Sequence, residues 1–143
     1  MRTVRQLLES KGSEVFAIGP DAAVIDAIRL MAEKGVGALV VLEPGGRLAG
    51  VVSERDYARK IVLEGRSSRD TPVRDIMTAN PVTVAPEDAA PACMALVTNR
   101  RIRHLPVLVD GRVVGVVSIG DLVKAVIEEQ QHELEQLQRY ITS

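Results

Sequence analysis

Apolar positions along this chain alternate between the helical period and the strand period, and the alternation occurs twice. Val24, Ala27, Ile28 and Met31 stand at i, i+3, i+4 and i+7, one face of an amphipathic helix, and Ala90, Cys93, Met94 and Val97 repeat the spacing 66 positions on (90 minus 24). These faces predict core-facing helices over Ala22 to Lys34 and Ala89 to Arg100, each led by a short strand, Val15 to Ile18 and Val82 to Val84. The segments Ile18-Gly-Pro-Asp21 and Val84-Ala-Pro-Glu-Asp88 supply a proline and an acidic residue as turn and cap. Continuous apolar runs then predict two hairpins, Ala38 to Leu42 with Leu48 to Val52, and Leu105 to Val109 with Val113 to Val117. Asp110-Gly111 is a strong two-residue turn signal; Pro44-Gly45-Gly46 is looser. A helix follows the first hairpin from Glu54 to about Glu64, burying Tyr57, Ile61 and Val62 and stopping at Gly65.

The hairpins end in the same heptapeptide pattern. Gly-Val-Val-Ser-Glu-Arg-Asp closes at Asp56 and Gly-Val-Val-Ser-Ile-Gly-Asp at Asp121, 65 residues apart (121 minus 56). Short lead-in segments match as well: Thr3-Val-Arg-Gln6 has capping-box form and opens a helix with Val4, Leu7 and Leu8 that ends near Gly12, and Val73-Arg-Asp-Ile-Met77 repeats its pattern. The expected fold class is therefore mixed α/β (α+β): two β-α-β-β-α repeats packed by pseudo-twofold symmetry, plus a C-terminal helix extension. The first repeat spans residues 1–64 with its lead-in helix, a polar linker spans 65–72, the second repeat spans 73–128, and the extension spans 129–143. A three-stranded sheet with two helices on one face leaves apolar surface that one copy does not cover, so the copies are expected to pack together.

Composition narrows the partners. With 46% hydrophobic residues the chain has material for a real core, and with aromatics at 2% that core is aliphatic and offers no stacking platform for bases. A formal net charge of -1 provides no basic field for nucleic acid or a membrane surface. No apolar run approaches the roughly 18 residues of a membrane span, and the N-terminal residues lack a signal core, so a soluble, reducing, cytoplasmic setting is expected. The single cysteine, Cys93, falls on the apolar helix face as a core thiol.

With the repeated Gly-Val-Val-Ser-x-x-Asp, the strand start Arg103-His104-Leu105-Pro106-Val107 and the lead-in Asp75-Ile76-Met77-Thr78 in place, the chain resembles a cystathionine-β-synthase (CBS) domain pair, also called a Bateman module. The likeness runs from residue 1 to about 128 and is to members that consist of the pair alone, without an attached enzyme or channel. It implies a regulatory module that binds an adenosine-containing ligand, AMP, ADP, ATP, NAD or S-adenosylmethionine, in clefts between the repeats. It implies signalling through a change of conformation or dimer geometry, as a homodimer and toward a target protein the sequence does not name.

The residue types suit that chemistry. A hairpin strand delivers Ser53 or Ser118 to a helix start, where unsatisfied N–H groups favour an oxygen, and the carboxylate of Asp56 or Asp121 can accept both hydroxyls of a ribose. The same spacing also serves as a capping box whose task is to start the helix, and the two roles can coexist. The resemblance places the base against Val36, Gly37 and Ala38, and against Ile102, Arg103 and His104 with Pro106. Ile18, Pro20, Thr83 and Pro86 lie on the first-strand exits and are expected to close over the base. Arg103 and His104 are the phosphate candidates, with Arg55 and Lys60 adding charge across the cleft; Arg100 and Arg101 serve equally as a solvated helix end. Ile119-Gly120 replaces Glu54-Arg55, so the two pockets are expected to differ.

No residue arrangement supports catalysis or a metal: Ser53 and Ser118 have no histidine placed to activate them, and His132 has no partner at ligand spacing. In the extension, Val123, Ile127, Gln130, Leu134, Leu137 and Ile141 alternate steps of 4 and 3, a coiled-coil seam for self-association or an amphipathic helix folding back on its own domain. The rival reading of the whole is an interaction scaffold with vestigial pockets in which that helix does the work.

Overall fold

The structure, a computed structural model, describes residues 1–142. The chain forms two compact units, one of residues 14–82 with 110–113, the other of residues 1–13, 83–109 and 114 onward.

In the unit of residues 14–82, β1 (Ala17–Ile18) runs parallel to β2 (Ala38–Leu42), β2 pairs antiparallel with β3 (Leu48–Ser53), and β3 pairs antiparallel with β4 (Thr78–Ala79). The sheet thus has four strands rather than three, because Thr78 and Ala79 after the second lead-in continue as an edge strand. Helix α2 (Val24–Lys34) lays Val24, Ala27 and Met31 into a core with Leu39, Val41 and Val52. The left-handed Gly35, φ 66°, ends it. After Ser53, α3 (Glu54–Tyr57) lasts one turn and passes into a π-helical turn, Ala58–Val62, where Leu63 N–H reaches back five residues to Ala58 O at 3.1 Å. The wider turn rotates the faces: Ile61 is buried, but Val62, expected inside, is 59% exposed.

The other unit contains α1 (Val4–Lys11), α4 (Ala90–Arg100), β5 (His104–Val109), all but the first two residues of β6 (Arg112–Ser118), and the 24-residue α5 (Ile119–Thr142). Asp110 and Gly111 both take positive φ, 50° and 78°, as the Asp-Gly turn requires. The expected strand Val82 to Val84 contracts to a single parallel bridge, Val84 to Val107. The cause is Pro106: its counterpart Val40 (106 minus 66) donates to Phe16 O at 3.2 Å, and a proline has no N–H to do so. Cys93 is fully buried; burial, with Asp88 nearby, pushes its thiol pKa up, which keeps it an inert core group. Residues 129–142 of α5 are almost wholly exposed, so this stretch does not fold back on its unit; Ser143 lies outside the described residues.

Each lead-in packs with the other repeat's strands and helices. Val73 and Ile76, fully buried, belong to the core that holds α2, β2 and β3. Val4, Leu7 and Leu8 are buried in the unit that holds α4, β5, β6 and α5. The fastenings match bond for bond. Val73 N–H donates to Ala22 O at 2.8 Å and Val24 N–H to Thr71 O at 2.9 Å; Val4 N–H donates to Asp88 O and Ala90 N–H to Arg2 O, both at 2.9 Å. Backbone from the partner lead-in therefore satisfies the orphan donors at the starts of α2 and α4. The acidic residues expected to cap these helices do something else: the N-cap positions are Ala23 and Ala89, with no side-chain bond. Asp21 pairs with Arg74, and Asp88 accepts from Ala85 N–H at 2.8 Å. The polar stretch 65–72 is tied down in the same way, with Thr71 buried and Ser68 O accepting from Ile25 N–H at 2.9 Å.

Candidate functional site

The repeated heptapeptide begins with a glycine, and its surroundings explain why. A Cβ on Gly50 would meet Thr78 O at 2.5 Å and Met77 Sδ at 2.9 Å; one on Gly115 would meet Leu8 Cδ2 at 2.7 Å. Leu8 and Met77 hold equivalent lead-in places, so each motif glycine is the seat on which the exchanged segment rests.

The motif ends as a cap. Asp56 Oδ2 accepts from Ser53 N–H at 2.9 Å and from the Ser53 hydroxyl at 3.0 Å, while Asp56 N–H donates to Ser53 Oγ at 3.2 Å. Asp121 repeats this, its Oδ2 accepting from Ser118 N–H at 2.8 Å and its N–H donating to Ser118 Oγ at 3.1 Å. Both Ser-Asp pairs are thus capping boxes with aspartate in place of glutamate, and both carboxylates remain part-exposed.

Each cap is stitched to the start of the neighbouring strand. Glu54 N–H donates to Gly37 O at 3.0 Å, and Ala38 stands opposite Ser53; Ile119 N–H donates to Arg103 O at 2.8 Å. One unit therefore gathers Val36, Gly37, Ala38, Ser53 and Asp56, with Arg55 exposed on the first turn of α3; the other gathers Ile102, Arg103, His104, Ser118 and Asp121. The first-strand residues have structural tasks. Ile18 pairs with Val41 and packs on the core; buried Pro20 accepts Arg74 N–H at 2.9 Å; buried Pro86 accepts Arg5 N–H at 2.9 Å. Thr83 is half-buried beside the Val84 bridge, and Pro106 is buried with its carbonyl accepting Val84 N–H at 3.0 Å.

The cations differ most. Lys60 stays within its own unit, donating to Ile76 O at 2.9 Å with Asp56 Oδ1 at 3.7 Å. Asp121 is met by Lys11, whose Nζ lies 2.6 Å from Oδ2 and 2.8 Å from Val116 O. Burial would raise the Asp121 carboxyl, but the hydrogen bonds from Lys11 and Ser118 outweigh it and hold the pKa below the usual carboxylate value. Lys11 escaped the sequence reading because 110 positions separate the pair; its one visible signal was its place at the last turn of α1, just before Gly12.

A sequence profile of the CBS domain matches residues 4–63 and 73–128. The chain is 45% identical to the mitochondrial CBS domain-containing protein CBSX3 of Arabidopsis thaliana, over 97% of its own length and 71% of that protein's. Its fold superposes with a TM-score of 0.85 on a protein with CBS domains from Burkholderia ambifaria, assigned to signal transduction. The two are 52% identical, over 90% of this chain and 96% of that one. It also matches the CBS domain pair of protein MJ0100 in complex with 5′-methylthioadenosine and S-adenosyl-L-methionine. There the TM-score is 0.80 and the identity 18%, with 90% of this chain and 98% of that one covered, a likeness of fold. Among the described residues, no helix is long and apolar enough to cross a membrane.

Proposed function

This chain belongs to the CBS domain family, and we propose that it works as a regulatory module that senses an adenosine-containing ligand at the Ser-Asp caps of its two repeats. The observation that carries this reading is the backbone stitch from Glu54 to Gly37 and from Ile119 to Arg103. It holds a part-exposed carboxylate, a group able to accept two ribose hydroxyls, beside the strand start that would face the base. At Gly37 and Ala38 the small side chains leave the backbone open to a flat ring. The complex of the MJ0100 pair with two adenosyl compounds supports this ligand class. A capping box does not preclude the role, since each carboxylate has acceptor capacity beyond its cap bonds.

AMP, ADP, ATP, NAD and S-adenosylmethionine are the ligands to screen by thermal shift, on the wild type and on Asp56→Ala and Asp121→Ala. A rise in melting temperature that each substitution reduces supports the reading; no shift with any ligand defeats it. The exposed seam of α5, with Val123, Ile127, Leu134, Leu137 and Ile141 all at least 42% exposed, supports self-association as a homodimer. It also favours the second reading, a scaffold that acts through this helix. The solution mass of a chain ending at residue 128 decides what the helix contributes: a drop to monomer assigns association to the extension.

A further inference from the structure

The ion pair of Lys11 with Asp121 has no counterpart of equal closeness at Asp56. Lys11 Nζ and Ser118 N–H converge on the same oxygen of Asp121, at 2.6 and 2.8 Å. At Asp56 the corresponding oxygen takes only its own serine, and Lys60 stands 3.7 Å from the other oxygen. Beside Asp121 lies a cleft of about 80 Å³ lined by Arg2, Lys11, Lys124, Asp121 and Glu128 together with Leu7, Ser10 and Ala125. Three cations against two carboxylates leave it one positive charge in excess. Glu128 is already shared by Arg2 at 2.6 Å and Lys124 at 4.0 Å. Pockets that enclose whole organic ligands run from about 300 Å³ upward. This cleft therefore has room for a group of the size of a phosphate and not for a nucleoside.

We propose that Lys11 is the specificity-determining residue of the second repeat, admitting adenosyl ligands that carry a phosphate and refusing neutral adenosine. The inference rests on the adenosyl reading above. A ribose that takes the Asp121 carboxylate competes with Lys11 for it. Displacing the ammonium without replacement leaves a cation that has lost its counter-charge, whereas a ligand phosphate supplies a new partner as the hydroxyls take the carboxylate. At Asp56 no such toll is set: both lysines also donate to a backbone carbonyl, but Lys60 stands 3.7 Å from the other carboxylate oxygen and does not occupy the one bonded by Ser53. The two repeats would thus differ in ligand charge rather than in base.

The test is calorimetric titration of the full chain with AMP and with adenosine, in an Asp56→Asn background that leaves only the Asp121 half competent. AMP is expected to bind there and adenosine to bind at least about tenfold more weakly, the value of one charge-assisted hydrogen bond. Lys11→Met, which keeps the aliphatic stem, should weaken AMP by about tenfold or more without weakening adenosine, so that the preference collapses. Lys11→Arg should retain the preference, and melting curves of both variants confirm that they are folded. An unchanged AMP to adenosine ratio in Lys11→Met overturns the inference. So does loss of all binding in Asp56→Asn when the wild type binds, which leaves the adenosyl reading standing at Asp56 alone. Absence of binding by the wild type to every adenosyl compound overturns both.

Discussion

Under Gly50 of one unit lies backbone, the carbonyl of Thr78; under Gly115 of the other lies the tip of a leucine, Leu8. The first seat is closed by a strand, β4, and the second by the side of a helix, α1. One duplicated sequence thus meets its lead-in through two kinds of contact, and the consequence runs through both units. The side seated by backbone extends its sheet to four strands. The side seated by side chains keeps a two-stranded hairpin and gains an eight-residue helix whose last turn delivers Lys11 to Asp121. A lead-in that differs in length and structure therefore makes two sites unlike even where the motifs agree.

The strongest way to break this comparison is to hollow out the lead-ins. Ile76→Ala and Leu7→Ala each truncate a side chain at most 5% exposed and should cost about 2–5 kcal/mol in denaturant unfolding. The informative readout is where protection from hydrogen exchange is lost. Leu7→Ala should loosen α4, β5 and β6 of the second repeat, and Ile76→Ala should loosen α2, β2 and β3 of the first. If each instead loosens the repeat that follows it in sequence, the crossed packing of the lead-ins is wrong.

Next come the seats themselves. Gly50→Ala forces a methyl against a carbonyl oxygen and should destabilise by about 1–3 kcal/mol or more, with no relief from any change at Met77. Gly115→Ala meets only the flexible end of Leu8, so its cost should be smaller. Its combination with Leu8→Ala should be less destabilising than the sum of the two singles, a coupling measured by a double-mutant cycle. Equal costs at both glycines would erase the distinction between a backbone seat and a side-chain seat.

Much of this was legible in the chain because the duplication checks itself: the helix faces of Val24 and Ala90, both hairpins, the Asp110-Gly111 turn and the caps at Ser53 and Ser118 all follow from local pattern. What local pattern does not carry is partnership at long range. Nothing near Val73 says that it will pack with α2 rather than α4, and nothing near Lys11 points to Asp121. Asp21 and Asp88 read as caps because acidic residues before helices usually are, but donors already taken by Thr71 and Arg2 carbonyls need no side chain. Val62 read as buried because a regular α-helix was assumed where a π turn occurs. The missing strand at residues 82–84 was present in the sequence all along, as Pro106 opposite a ladder position.

A smaller effect separates the ends of the two core helices. Both close in the left-handed region, α2 on Gly35 and α4 on Arg101 at φ 55°, the same place in each repeat (101 minus 66). A side chain there costs about 1 kcal/mol that glycine avoids. Arg101→Gly should therefore raise stability by about 1 kcal/mol, seen as a higher denaturant midpoint at unchanged slope. A fall would show that the Arg101 side chain contributes more than its backbone strain costs.

The smallest difference is electrostatic, and pH exposes it. The folded pKa of Asp121 lies below its unfolded value, since the Lys11 and Ser118 bonds outweigh burial. The carboxylate therefore adds stability above the unfolded pKa of about 3.9, and this is lost as pH falls through the folded value. With the Lys11 side chain 37% exposed, solvent screening should keep the gain under about 1 kcal/mol. Wild type and Asp121→Asn should differ most in unfolding free energy near neutral pH and converge in acid below the ordinary aspartate range. Raised salt should shrink the gap at neutral pH. Two curves that run parallel through the acid range would mean that Lys11 lies beside Asp121 without stabilising it. In that case displacing the Lys11 ammonium from Asp121 would carry no penalty, and the expected preference of the second repeat for a charged ligand would lose its basis.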